Sequence, residues 1–142
     1  MDEQAVAWAA GFFDGEGCIN LNVLKGRNVT LRVIVTNTCK QAIDRLQELF
    51  PGAVRRFTIR PNQRQPVWEW TCSGAHAADF CRTVLPYSVV KAPQHRLALD
   101  FFELPWRRQT FGRGGRSIYR TQEQVDSDLE IASRMRKLKL LA

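Results

Sequence analysis

The sequence predicts an α+β domain, a four-stranded antiparallel sheet with helices on one face in the order αββαββα, followed by C-terminal helices. Two observations carry this. Runs that alternate apolar and polar residues come in two consecutive pairs, as half-buried antiparallel strands do. Each pair is flanked by stretches with apolar residues at three- and four-residue spacing, as on amphipathic helices. The 142 residues suit a single domain, and 44% hydrophobic residues is ordinary for a globular core. The core is expected over about 5–104, a basic Gly-rich loop over about 105–120 and a last helix over about 121–141.

The first helix leads into Ala7–Gly17. Ala7, Ala10, Gly11 and Asp14 recur at i, i+3, i+4 and i+7 and share a face nearly bare of side chain. Val6, Trp8, Phe12 and Phe13 on the other sides are the expected core anchors. A face this small lets a second backbone come close. It ends in Asp14-Gly15-Glu16-Gly17, where glycines let the chain turn and the carboxylates project beyond the helix.

Cys18–Leu24 alternates Ile19, Leu21 and Val23 with Cys18, Asn20 and Asn22. Lys25–Asn28 reads as a turn, and Val29–Thr36 alternates again. Thr38 and Gln41 have capping-box spacing ahead of a helix carrying Ile43, Leu46 and Phe50, ended by Pro51-Gly52. In the second hairpin, Ala53–Arg60 is assigned Phe57 and Ile59 on the core face and Arg56, Thr58 and Arg60 on the other. After a polar loop, Val67–Cys72 returns with Trp68 and Trp70 toward the core. Ser73 opens a helix with Ala77, Phe80, Cys81 and Val84 inward, stopped by Pro86. Pro93 suits the first turn of the next, which carries Leu97, Phe101 and Leu104. Thr121 and Gln124 make a second capping box before a helix with Val125, Leu129, Ala132, Met135 and Leu138.

Net charge is +7, and its arrangement says more than its sum. Gly17–Ile43, Pro51–Trp68 and Leu104–Gln122 contain bases and no acid. Loops made basic for solubility mix both signs, so these windows point to one surface facing phosphates. The open sheet face would display Asn20, Asn22, Thr30, Arg32, Arg56, Thr58 and Arg60, the side-chain types that read a major groove. Lys25, Arg27, Asn28, Arg64, Arg113 and Arg116 extend the basic surface into loops. The expected partner is double-stranded DNA.

No apolar run approaches membrane-span length, and Met1-Asp2-Glu3 does not open a secretory signal. No membrane partner is expected, and the location is expected to be intracellular: prokaryotic cytoplasm or nucleoid, or an organelle. Cys18, Cys39, Cys72 and Cys81 lack Cys-x-x-Cys spacing and read as reduced, mostly buried thiols. Cys72, His76 and Cys81 lack a fourth ligand at metal-site spacing.

Ala9-Ala10-Gly11-Phe12-Phe13-Asp14-Gly15-Glu16-Gly17 resembles the nine-residue signature of the LAGLIDADG homing endonucleases. Five of its positions differ from that signature, each by a chemically similar residue. The likeness extends over roughly Ala5–Phe102. Val35-Thr36-Asn37-Thr38 resembles the family's end of strand two, and Lys40-Gln41 the start of its second helix. Lys91-x-x-Gln94-x-x-Leu97 resembles the stretch whose lysine approaches the scissile phosphate.

The resemblance implies the αββαββα fold and a site-specific, divalent-metal-dependent DNA endonuclease. It implies Glu16 as the metal ligand, where many relatives carry Asp, with the Gly15 carbonyl as a further ligand. It also implies Lys91 as charge compensation and Asn37 and Gln41 as groups that position water. The cofactor would be Mg²⁺, with Mn²⁺ substituting and Ca²⁺ supporting binding without cleavage. Family members bring two signature helices together, and this chain has one, since Ala98-Leu99-Asp100-Phe101 lacks the glycines. One copy implies a homodimer joined through Ala7, Ala10, Gly11 and Asp14, acting on a long pseudo-palindromic target in intron homing. The alternatives on the same fold are an RNA-binding intron maturase and a DNA-binding protein that does not cleave.

Overall fold

The computed structural model describes residues 1–57, 65–107 and 120–141. The elements are α1 (Glu3–Glu16), β1 (Gly17–Leu24), β2 (Asn28–Asn37), α2 (Lys40–Leu49), β3 (Ala53–Phe57), β4 (Val67–Ser73), α3 (Gly74–Val84), α4 (Ala92–Phe102) and α5 (Gln122–Leu141). The sheet is antiparallel in the order β1-β2-β4-β3. Among the described residues, no helix is long and apolar enough to cross a membrane.

Strand alternation sets the layers. Ile19, Leu21, Val29, Leu31, Val33, Val35, Trp70 and Cys72 turn one face of the sheet to the helices and are buried there. Phe80 of α3 centres that layer, with Phe13 at 4.9 Å, Phe50 at 4.8 Å and Trp70 at 5.1 Å between ring centroids. The Trp70 indole N–H donates to the Phe50 carbonyl at 2.9 Å, satisfying its one polar atom in the core. Tryptophans toward the helices is therefore the observed facing of β4, although Trp68 near the start of the strand is only half-buried.

Helix ends follow the sequence less closely than helix faces do. Thr121 and Gln124 form the expected reciprocal box, each side chain accepting from the other's backbone N–H at 3.1–3.2 Å. Thr38 and Gln41 form no such box. The N-cap of α2 is Cys39, whose N–H donates to Asn37 Oδ1 at 2.8 Å. An Asn two residues upstream makes this local turn with less chain to fix. Trp8 and Phe12, expected in the core, pack against its margin half-buried and stack on each other at 5.2 Å, with Arg45 over Trp8 at 4.4 Å.

The helix α5 packs against α4 and the edge strand β1. Its Asp128 is fully buried. The carboxylate accepts from Trp106 Nε1 at 3.1 Å, Arg107 Nη1 at 3.0 Å and Arg120 Nη1 at 3.2 Å. Arg107 also donates to the Val29 carbonyl and lies 3.6 Å from the Phe101 ring centroid. Burial lowers its pKa to about 10, although Asp128 opposes the shift. One carboxylate thus ties the residues on either side of 108–119 to the last helix. Removing it leaves two guanidinium groups facing a dry interior, so Asp128→Ala is expected to cost about 3–5 kcal/mol. Urea unfolding should show a lowered midpoint for Asp128→Ala and nearly none for Asp126→Ala, an exposed acid on the same helix. Equal midpoints would show that the buried cluster is not what holds α5.

Candidate active site and nucleic-acid face

Two helix ends meet beside the Asp-Gly-Glu-Gly turn. Asp14 lies in the last turn of α1, and Lys91 is the N-cap of α4. The Asp14 carboxylate accepts from Ser88 Oγ at 2.5 Å and from the backbone N–H groups of Val89 at 2.7 Å, Val90 at 3.1 Å and Lys91 at 3.1 Å. In return Lys91 Nζ donates to the Asp14 carbonyl at 2.6 Å, filling one of the acceptors that a helix end leaves open. Burial pushes the Asp14 carboxyl upward. The hydrogen bonds from Ser88, Val89, Lys91 and Val90 outweigh it and hold the pKa below the usual carboxylate value. The carboxylate thus joins the end of α1 to the N-terminal end of α4 within its own chain.

Glu16 ends α1 with its side chain exposed. Gly17 follows, and a Cβ there would meet the Phe13 ring at 2.3 Å, so only glycine lets β1 leave the helix this close to the core. The bare stripe of α1 is rotated from the expected face. Ala7, Gly11, Gly15 and Glu16 are exposed, whereas Ala10 is fully buried with Ala9 and Phe13. Ala10 is therefore a core residue and not part of an outward face. The reason is the sheet beneath, which draws in the flank carrying Val6 and Phe13. A Cβ at Gly11 or Gly15 meets nothing within 4 Å, so nothing among the described residues requires a glycine at either position. Asn37 is half-buried and Gln41 exposed at the junction of β2 and α2.

The face of the sheet away from the buried side chains carries Asn20, Asn22, Thr30 and Arg32, as their register across β1 and β2 requires. Asn20 and Asn22 are half-buried, and Thr30, Asn28, Lys25 and Arg27 are exposed. Asn20 accepts from Lys139 of α5, a contact that the sequence pattern gives no hint of. On β3 the sequence reading is reversed. Arg55 pairs with Glu69 and Arg56 with Trp68, so Arg55 shares the open face and Arg56 lies on the opposite side, at the edge strand. The cause is pairing of Val54 with buried Trp70, which alternation within a five-residue strand cannot reveal. Thr58, Arg60, Arg64, Arg113 and Arg116, together with Ile59, lie outside the described residues.

The open face also holds an acid that the charge windows did not anticipate. Glu69 Oε1 accepts from Arg55 Nε at 3.0 Å and Arg32 Nη2 at 3.4 Å, while Arg32 Nε donates to Thr71 Oγ1 at 2.9 Å. Glu69 is buried between the two guanidinium groups and holds them in place.

Beneath the Asp14–Lys91 contact, His95 of α4 is fully buried. Its ring lies 5.4 Å from Phe13 and 6.2 Å from Phe80, and neither nitrogen has a hydrogen-bond partner among the described residues. Burial lowers its pKa to about 4, with Asp14 raising and Lys91 lowering it. Burial likewise raises the thiols of Cys72 to about 11 and Cys81 to about 12. Cys39, by contrast, is exposed and Cys18 half-buried, against the expectation of mostly buried thiols. Among the described residues no three His, Cys, Asp or Glu side chains group as a metal cluster, and His76 is exposed.

No family sequence model matches the chain, and no curated protein sequence does. Solved structures do. The homing endonuclease I-CvuI, in complex with its target in the presence of calcium, matches at a TM-score of 0.72 and 20% identity, over 95% of this chain and 82% of that one. The homing endonuclease I-TnaI matches at 0.62 and 19%, over 97% of both chains. The group I intron-encoded homing endonuclease I-CeuI, complexed with DNA, matches at 0.68 and 18%, over 96% of this chain and 68% of that one. This chain has the fold of these homing endonucleases.

The buried His95 gives the site a pH signature. Its proton is absent from the folded state down to about pH 4, while the unfolded chain binds one below its ordinary value of 6.5. Stability is therefore fully present above pH 6.5 and falls as pH drops toward 4, by at most about 3 kcal/mol from this group. His95→Leu should flatten that part of the profile, read as the difference between the two proteins' unfolding free energies at pH 7 and pH 4.5. Identical slopes would show that His95 finds a proton acceptor when charged.

Proposed function

We propose that this chain is a LAGLIDADG homing endonuclease of the single-motif type, a homodimer that cuts double-stranded DNA at a long pseudo-palindromic site by divalent-metal-dependent phosphodiester hydrolysis. The observation that carries the reading is one helix end. An exposed carboxylate, Glu16, lies two residues from the carbonyl that holds the Lys91 ammonium, at the head of a sheet face of Asn, Thr and Arg. The fold shared with DNA-bound homing endonucleases supports it.

The stripe Ala7, Gly11 and Gly15 supports the dimer. Glycines that nothing among the described residues requires make sense where a partner backbone comes close, and twofold contact along this stripe would bring two Glu16 carboxylates together. The donor set suits a hard cation such as Mg²⁺, with the Glu16 carboxylate and the Gly15 carbonyl as oxygen ligands, and no third acidic, His or Cys ligand groups with them among the described residues of one protomer. When bound, the metal supplies Lewis-acid polarisation of the phosphate and activation of water. Lys91 keeps two of its three N–H donors for phosphate oxygens, offsetting charge that builds during hydrolysis. Asn37 keeps its amide N–H groups while its oxygen caps α2, and with Gln41 it orients water. Arg32 and Arg55, braced by Glu69, read base edges, while Lys25 and Arg27 at the exposed turn meet phosphates.

Three measurements test this on a target selected by cleavage from randomised DNA. Glu16→Gln should lose strand cleavage in Mg²⁺ by orders of magnitude and keep its gel-shift in Ca²⁺, because an amide replaces a carboxylate ligand poorly. Lys91→Met should lose less, and undiminished cleavage by Glu16→Gln would overturn the metal assignment. Arg32→Ala or Arg55→Ala should each cost about 1–3 kcal/mol and relax preference at one position per half-site. Arg56→Ala should relax none, and a relaxation there would overturn the assignment of faces on β3. Sedimentation should give a dimer for the wild type and a monomer for Gly11→Leu, since overpacking forces close helices apart.

A further inference from the structure

We infer that Asp14 is a positioning residue for Lys91: it fixes the Ser88–Lys91 segment against the end of α1 and thereby sets the lysine ammonium beside Glu16. The inference rests on the nuclease reading of Glu16 and Lys91 and adds a residue whose task is to place one of them.

The starting point is an acid where helix electrostatics disfavour one. The C-terminal end of a helix carries partial negative charge, and the last turn of α1 has no base of its own. Asp14 is therefore not there for the sake of its helix. Its carboxylate faces the N-terminal end of α4, whose unpaired N–H groups carry the opposite partial charge.

Tyr87, just before Ser88, donates its hydroxyl to Glu3 at the start of α1, so what remains to be held is the stretch from Ser88 to Lys91. Val89 is 80% exposed and Val90 57%, so neither valine is anchored by apolar burial. Three consecutive backbone N–H groups and the Ser88 hydroxyl converge instead on the two oxygens of Asp14. With the backbone of Lys91 fixed there, its side chain folds back to the Asp14 carbonyl at 2.6 Å. Two helix ends thus cap each other, and the cation stays two residues from the metal-ligand position. A lysine free to rotate would spend rotamer entropy each time it met the phosphate. One already seated has lost that freedom in folding.

The test uses Asp14→Asn, Lys91→Met and the double variant, each checked for native circular dichroism. The first readout needs no activity. Limited acylation of the intact protein, followed by peptide mass spectrometry, should label Lys91 slowly in the wild type. Asp14→Asn should label it several-fold faster, with Lys25 on the exposed turn unchanged as the internal control. Unchanged Lys91 labelling overturns the inference. The second readout is single-turnover cleavage with target affinity in Ca²⁺. Asp14→Asn should slow cleavage about tenfold at nearly unchanged affinity. In the Lys91→Met background it should cost no more than about twofold, because residues acting through one another are not additive. Full additivity assigns Asp14 to the scaffold and overturns the inference. Should Asp14→Asn not fold, Ser88→Ala removes one of the four bonds and should give a smaller shift of the same labelling and the same non-additivity. A wild-type protein that cuts no DNA overturns the nuclease reading, whereas the labelling arm still decides whether Asp14 seats Lys91.

Discussion

The ring of Phe13 is the fixed point on which the arrangement depends. It packs edge-on to Phe80 and beside His95, and it occupies the space where a side chain at residue 17 would be. Those contacts fix how α1 is rotated on the sheet. The flank with Val6, Ala9, Ala10 and Phe13 faces inward, and Ala7, Gly11 and Gly15 are left bare. They also fix where the helix stops, because the chain must leave at Gly17 directly into β1. The carboxylate of Glu16 and the carbonyl that receives Lys91 sit where they do because an aromatic core has decided the end of one helix.

Three acids organise three separate groups of donors, each in a different way. Asp14 collects backbone N–H groups and a hydroxyl, and so joins two helix ends. Glu69 lies between Arg32 and Arg55 on the open face, where it fixes the direction of both forks. Asp128 is wholly buried with Arg107, Arg120 and Trp106 around it, and it fixes the root of the last helix. In each case one carboxylate fixes donors that come from different elements of the fold.

The layers and the chain order of the elements were readable from residue pattern alone. Period-two alternation over Cys18–Leu24 and Val29–Thr36, and the spacing of Ile43, Leu46, Phe80 and Val84, state which side of each element is dry. Such information is local and survives without neighbours. The signature around Glu16, and the Lys91 stretch, were legible as motifs, as was the reciprocal box at Thr121 and Gln124. What each motif residue touches was not legible.

The facing of β3, the rotation of α1 and the partners of Asp14, Glu69 and Asp128 follow from how the elements pack in three dimensions. A five-residue strand with adjacent arginines has no usable period, so Arg55 and Arg56 are told apart only by the register with Trp70 and Glu69. A helix with alanines on two sides hides which is inside until a sheet lies beneath it, so Ala10 read like Ala7. Asp14 and Ser88 lie 74 residues apart, Arg32 and Glu69 37, and no pattern within either segment announces such a bond. Hydrophobic burial is written along the chain, one residue at a time. Hydrogen bonds and ion pairs between elements exist only once the fold has brought their donors and acceptors together.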